Sequence, residues 1–80
     1  MKLQLCFFGE IKSLLGRDAQ NVELQQSLSI HDFMQSHPAV AGLKQWDGHV
    51  LFALNHEQVD GNGMIQDGDE LALMPPMTGG

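Results

Sequence analysis

Residues 67–80 run Asp67-Gly68-Asp69-Glu70-Leu71-Ala72-Leu73-Met74-Pro75-Pro76-Met77-Thr78-Gly79-Gly80. Asp67-Gly68 is a turn pair, because glycine takes a left-handed backbone without steric cost and an Asp side chain bonds its own main chain. From Glu70 to Met74 the residues alternate as in a strand, with Leu71 and Leu73 on one face and Ala72 and Met74 on the other. Pro75-Pro76 ends the strand, since proline offers no N–H to a ladder and holds the chain extended. A body that ends at residue 74 and a flexible tail over 75–80 follow from this stretch.

The start of the chain supplies the matching strand. Over residues 2–8, Leu3, Leu5 and Phe7 alternate with Gln4, Cys6 and Phe8. At Gly9 the period changes: Ile11, Leu14 and Leu15 stand at helical spacing, and Gly16 can take the left-handed position that closes a helix. Asn21–Gln26 alternates again around Val22 and Leu24, as a hairpin partner for the first strand. Ser29 is an N-cap, with Asp32 at the third helical position and Phe33 and Met34 facing inward, until Pro38 stops the pattern. Residues 39–48 read as a short helical turn and a loop anchored by Trp46. The apolar run from His49 to Leu54 suits a strand buried on both faces, after which Asn55-His56 and Asp60-Gly61-Asn62-Gly63 turn the chain. Strand, helix, strand, helix, strand, strand describes an α+β roll: a mixed sheet with its helices on one face.

Composition narrows the function. Hydrophobic residues make up 42% of the 80 residues and charged ones 18%, without an apolar run long enough to cross a bilayer. Four Lys and Arg against ten Asp and Glu leave a net charge of −6, which repels nucleic acid and acidic lipid, so neither nucleic acid nor membrane is expected as a partner. With one cysteine, Cys6, and a first ten residues that lack a signal sequence, a cytoplasmic setting is expected. The histidines are spaced as surface and turn residues rather than as metal ligands. Asp60-Gly61-Asn62 opens like a calcium loop, but Ile65 stands where glycine is demanded and Leu71 where the closing Glu belongs. Cys6 lies in a strand with no nearby cation to lower its pKa, so packing is its expected role. No catalytic motif is present in the body.

Chemistry is concentrated at the end. Gly79 and Gly80 have no Cβ, so this segment fits a channel too narrow for other residues, and the Gly80 carboxylate stands open to an attacking group. Cys6-Phe7-Phe8, Leu14-Leu15-Gly16, Leu54-Asn55 and, above all, Asp67-Gly68-Asp69-Glu70-Leu71 running into Pro75-Pro76-Met77-Thr78-Gly79-Gly80 resemble the MoaD/ThiS group of ubiquitin-like sulfur carriers. The resemblance spans essentially the whole chain. It departs from the group's pattern at Met74, in place of a frequent aromatic, and at Met77, in place of a usual Val.

The resemblance implies a β-grasp fold over residues 1–74 and a carrier with no activity alone and no bound cofactor. It implies three partners: an E1-like adenylating enzyme that uses ATP, a sulfurtransferase, and the large subunit of molybdopterin synthase. In that group the terminal glycine is adenylated and converted to a thiocarboxylate, whose sulfur builds the dithiolene of molybdopterin on cyclic pyranopterin monophosphate. Carried over, Gly80 bears the sulfur and Gly79 threads beside it. A thiazole-pathway carrier and a ubiquitin-like modifier end in the same way. In the implied topology the first and last strands are parallel neighbours, so Cys6, Phe8, Ala72 and Met74 share an uncovered face. Phe8, Ala72 and Met74, with Pro75, Pro76, Met77 and Thr78 of the tail, are the expected partner-binding residues.

Overall fold

The computed structural model describes residues 1–46 and 48–76. Along the chain these form strand β1 (Lys2–Phe7), helix α1 (Gly9–Leu15), β2 (Ala19–Glu23), α2 (Ile30–Ser36), a 3-10 helix (Pro38–Trp46), β3 (Leu51–Leu54), β4 (Glu57–Val59) and β5 (Asp69–Met74). The strands join in the order β2-β1-β5-β3-β4. Only the central pair, β1 and β5, is parallel; the other neighbours are antiparallel.

One face of this sheet carries the core. Leu3, Leu5 and Phe7 of β1 and Leu71 and Leu73 of β5 are at most 2% exposed, and they cluster with Ile11, Ile30, Phe33, Val40 and Leu43 of the helices. The helix ends follow local rules. Gly16 closes α1 in the left-handed region at φ 74°, its N–H bonded to the Lys12 carbonyl. Ser29 Oγ accepts the Asp32 N–H at 3.0 Å and so satisfies a donor of the first turn of α2. The entry to β5 is clamped by Asn55, whose side chain donates to Asp69 Oδ1 at 2.9 Å and accepts the Glu70 N–H at 3.0 Å.

Five features differ from the sequence reading. First, β2 begins at Ala19 and ends at Glu23: its register to β1 pairs Leu3 with Val22, and Leu24 bonds back to Met1 beyond the ladder. Second, Leu14 does not join the core. It is 48% exposed, because a seven-residue helix turns only Ile11 fully inward and half-buries Leu15. Third, residues 38–46 form a nine-residue 3-10 helix where a short turn was expected, held by the burial of Ala39, Val40 and Leu43. Fourth, β3 starts at Leu51 and is half-buried throughout, not buried on both faces, because the helices cover only one side of the sheet. Finally, β4 is a further strand, an edge of three residues joined to β3 through Asn55 and His56 at φ 52° and 71°. Such turns match the twist of a hairpin.

Candidate functional site

Paired residues in a sheet share a face, so the register defines the surface opposite the core. One row crosses all five strands: Ala19 of β2, Cys6 of β1, Ala72 of β5, Ala53 of β3 and Gln58 of β4. The first four are small, which makes a flat floor. On one side of this row lie Asn21, Gln4 and Glu70. On the other side, where β5 ends, Met74 pairs with Leu51. Phe8 follows β1 with an extended backbone, which continues the strand's alternation onto this face, and it is 50% exposed. Phe8, Met74 and Leu51 therefore form an apolar lip at the point from which Pro75 and Pro76 leave the sheet.

Nothing among the described residues covers this face. The segment that could have folded over it, 60–65, goes to the helical side instead. The Ile30 and His31 N–H groups donate to the Gly63 and Gly61 carbonyls, the Ile65 N–H donates to the Leu28 carbonyl, and Ile65 is fully buried in the core. An exposed aromatic beside two half-buried apolar side chains makes this face a candidate interaction surface. Burial pushes the Cys6 thiol up from its ordinary range, and the negative charges of Glu70 and Asp18 act in the same direction. The thiol at the centre of the floor is thus more weakly acidic than a free cysteine and less reactive near neutral pH.

Of the expected partner-binding residues, Phe8, Ala72 and Met74 lie together on the open face, and Pro75 and Pro76 are half-buried at its edge. Met77, Thr78, Gly79 and Gly80 lie outside the described residues. Sequence reading missed Leu51 and Ala53, which complete the face from β3. Their alternation with Phe52 and Leu54 was the available signal, masked by the uniformly apolar run. Elsewhere, a groove of about 490 Å³ opens between α2, the 3-10 helix and β3–β4, lined by Met34, Trp46, Val50, Phe52 and Val59 among others. Its walls are mostly apolar, and His31, Gln35, Lys44, Gln58 and Asp60 also line it. Among the described residues, no group of three or more His, Cys, Asp or Glu is placed to hold a metal ion, and no helix is long and apolar enough to cross a membrane.

A mixed five-stranded sheet with a parallel central pair, helices on one face and a carboxyl end that leaves from the central strand defines a ubiquitin-like β-grasp protein. SAMP1 from Haloferax volcanii superposes on it with a TM-score of 0.74 at 25% identity, over all of both chains. This chain belongs to the ThiS family, whose family model matches residues 5–80. It is 34% identical to the molybdopterin synthase sulfur carrier subunit of Escherichia coli (strain K12), over 98% of this chain and 99% of that one. A solved protein–protein complex of subunits 1 and 2 of the molybdopterin-converting factor from Helicobacter pylori contains a similar chain, with 30% identity and a TM-score of 0.68 over the whole of both chains.

Proposed function

We propose that this chain is the sulfur-carrier subunit of a molybdopterin synthase, with the Gly80 carboxylate as the group that carries sulfur. One observation carries the reading: relatives aligned over nearly the entire chain are sulfur carrier subunits of that synthase, and the family match extends through Gly79-Gly80. The chain binds no cofactor of its own. An E1-like partner uses ATP to join the Gly80 carboxylate to AMP with release of pyrophosphate, and a sulfurtransferase supplies the sulfur that displaces AMP. The large subunit then receives the tail, and sulfur passes from Gly80 to cyclic pyranopterin monophosphate. Division of labour supports this: an acidic chain with four scattered cations has no means of holding a phosphorylated substrate, so the partners must.

The open face gives the carrier its dock. Phe8, Met74 and Leu51 form an apolar lip that runs directly into Pro75-Pro76, so docking the lip aims the stiff start of the tail at the partner's active site. In this reading Met77 and Thr78 are partner-binding residues and Gly79 is the threading residue beside Gly80. Likeness to SAMP1 favours a second reading, in which the same activated Gly80 is joined to a lysine of another protein. Intact-protein mass spectrometry after incubation with ATP, the adenylating enzyme and a sulfur source decides between them. Exchange of one terminal oxygen for sulfur, absent when Gly80 is deleted, is the expected result; isopeptide-linked products without that exchange would overturn the carrier reading. Deleting Gly80 is expected to abolish transfer while the melting temperature hardly moves, since a terminal residue beyond two prolines adds little buried surface.

A further inference from the structure

The β1–α1 corner touches the root of the tail. Gly9, at φ 57°, is in the left-handed region, and a Cβ placed on it would lie 2.9 Å from Pro75 Cγ and 3.2 Å from Pro75 Cδ. Real Cβ atoms do not approach another heavy atom so closely, so the Pro75 ring occupies the space that a side chain at residue 9 would need. Directly before the corner, the Phe8 N–H donates to the Leu73 carbonyl at 3.1 Å, which keeps it in step with β5 up to its final residues. On the other side of β5, Met74 is paired with Leu51. The last strand residues are thus held from both sides, and the next residue, Pro75, rests against a glycine.

We propose that Gly9 is a positioning residue for the tail: its missing side chain is the seat of Pro75, and this seat sets the direction in which the chain leaves the sheet. Pro75 has a fixed φ and is followed by a second proline, so the root of the tail has fewer bond rotations with which to absorb an error at the seat. Gly9 does not touch the reacting atoms. It acts through Pro75 and adds no side chain to the lip, so it governs the approach of the tail more than the strength of docking. Positioning errors of about 1 Å slow transfer reactions by up to about 100-fold, which sets the scale of the expected effect.

A left-handed glycine is also favoured for its backbone alone, and a double-mutant cycle separates the two roles. Gly9→Val, Pro75→Ala and the double variant are compared with the wild-type chain. Pro75→Ala removes the two ring atoms that a Cβ at residue 9 would strike, while the backbone strain of Val at residue 9 is common to both backgrounds and cancels. The expected result is that Gly9→Val lowers the turnover number of sulfur transfer about tenfold with Pro75 present and less than about twofold in the Pro75→Ala background, at little change in KM for the carrier. Equal effects in the two backgrounds, or a change confined to KM, would overturn the proposal. Should Gly9→Val not fold, Gly9→Ala serves in the same cycle.

The activity arm rests on the carrier reading, so a second arm does not. In the isolated chain, amide chemical shifts and residual dipolar couplings of residues 77–80 are expected to respond to Gly9→Ala when Pro75 is present and to be unaffected by it once Pro75→Ala has removed the ring. A wild-type chain that transfers no sulfur, yet shows this coupling, would refute the carrier and keep the seat. Tail signals indifferent to Gly9 in both backgrounds would refute the seat alone.

Discussion

Leu71 and Ala72 are consecutive residues of one strand and belong to two different surfaces. Leu71 is fully buried, paired with Leu5 and Leu54 beneath the helices. Ala72 sits between Cys6 and Ala53 on the face that no described element covers. Along β1 and β5 the large branched and aromatic side chains point one way, and the other parity holds a floor of small residues with a lip at its end. A single covered face is enough to hold 80 residues together, which leaves the alternate positions of the same strands free for recognition. The hydrogen-bonded ladder is common to both, so the lip is presented on a rigid support rather than on a loop.

The sharpest test of this division is to damage each face separately. Leu71→Ala opens a cavity among fully buried neighbours and is expected to cost about 2–5 kcal/mol of folding stability, a large share of what a domain of this size possesses. Urea denaturation followed by circular dichroism measures it. Transfer activity should fall only in proportion to the unfolded fraction. The opposite outcome, a stable Leu71→Ala chain that no longer docks, would mean that the two faces are not separable in this way.

Phe8→Ala combined with Met74→Ser attacks the other side. Both residues lie outside the core cluster, so the loss of stability is expected to stay within about 1 kcal/mol, as for surface substitutions generally. Affinity for the large synthase subunit, read by isothermal calorimetry, is expected to drop by about tenfold or more, because aromatic and Met side chains at the centre of an interface carry much of its energy. Unchanged affinity would place the dock elsewhere, and the apolar groove between α2 and β3–β4 would become the next surface to test.

How far this division could be read without coordinates differs from element to element. Ser29 and Gly16 were legible because a cap is a local event: one side chain and one N–H three residues on, or one φ that glycine tolerates. The parity of β1 and β5 was legible for the same reason, since alternation is a property of the chain itself. Their parallel pairing was not. It depends on everything between them returning across the sheet, and it came only from the resemblance to known sulfur carriers. Glu57–Val59 was missed because three residues cannot display a period, and this edge exists as a strand only because β3 is there to pair with it. Leu14 looked internal by spacing alone, but seven residues of helix do not present a full stripe to one core. Of the site, the lip was legible as parity, while the reading of Gly79-Gly80, which lie outside the described residues, rests on composition and resemblance. Leu51, and the contact of Gly9 with Pro75, required the register and the corner geometry.

Charge provides a finer comparison between the two surfaces, because in the proposed function the open one meets the partner. No Lys or Arg occurs after Lys44, and Glu70 stands on the open face beside the floor. A partner that reaches across this rim is expected to offer positive charge, so the rate of association with the large subunit should fall steadily as salt is raised, while the dissociation rate changes little. Stopped-flow association over a range of ionic strengths measures this. A rate indifferent to salt would leave the apolar lip as the whole of the recognition, with the net charge of −6 serving only solubility.

The smallest expected effect concerns Cys6, and it reports on the floor without perturbing it. Burial, then Glu70, then Asp18 raise the thiol pKa in the folded chain, so folding holds the thiol proton more tightly than the unfolded chain does. Because only the thiolate is alkylated, the folded chain should react with iodoacetamide more slowly than free cysteine at neutral pH, and its rate should climb only at higher pH than the free thiol's. Unfolding in urea should remove the difference. The sign is fixed by the charges: Glu70→Gln removes one source of repulsion, so it should move the alkylation profile back toward lower pH, although desolvation, the larger cause, remains. The large subunit should slow the reaction further, since docking on the lip also covers the floor where Cys6 lies between Ala19 and Ala72. If Cys6 is alkylated equally fast with and without that subunit, under conditions where binding is saturated, the floor is not part of the dock and the contact is confined to Phe8, Met74 and the tail.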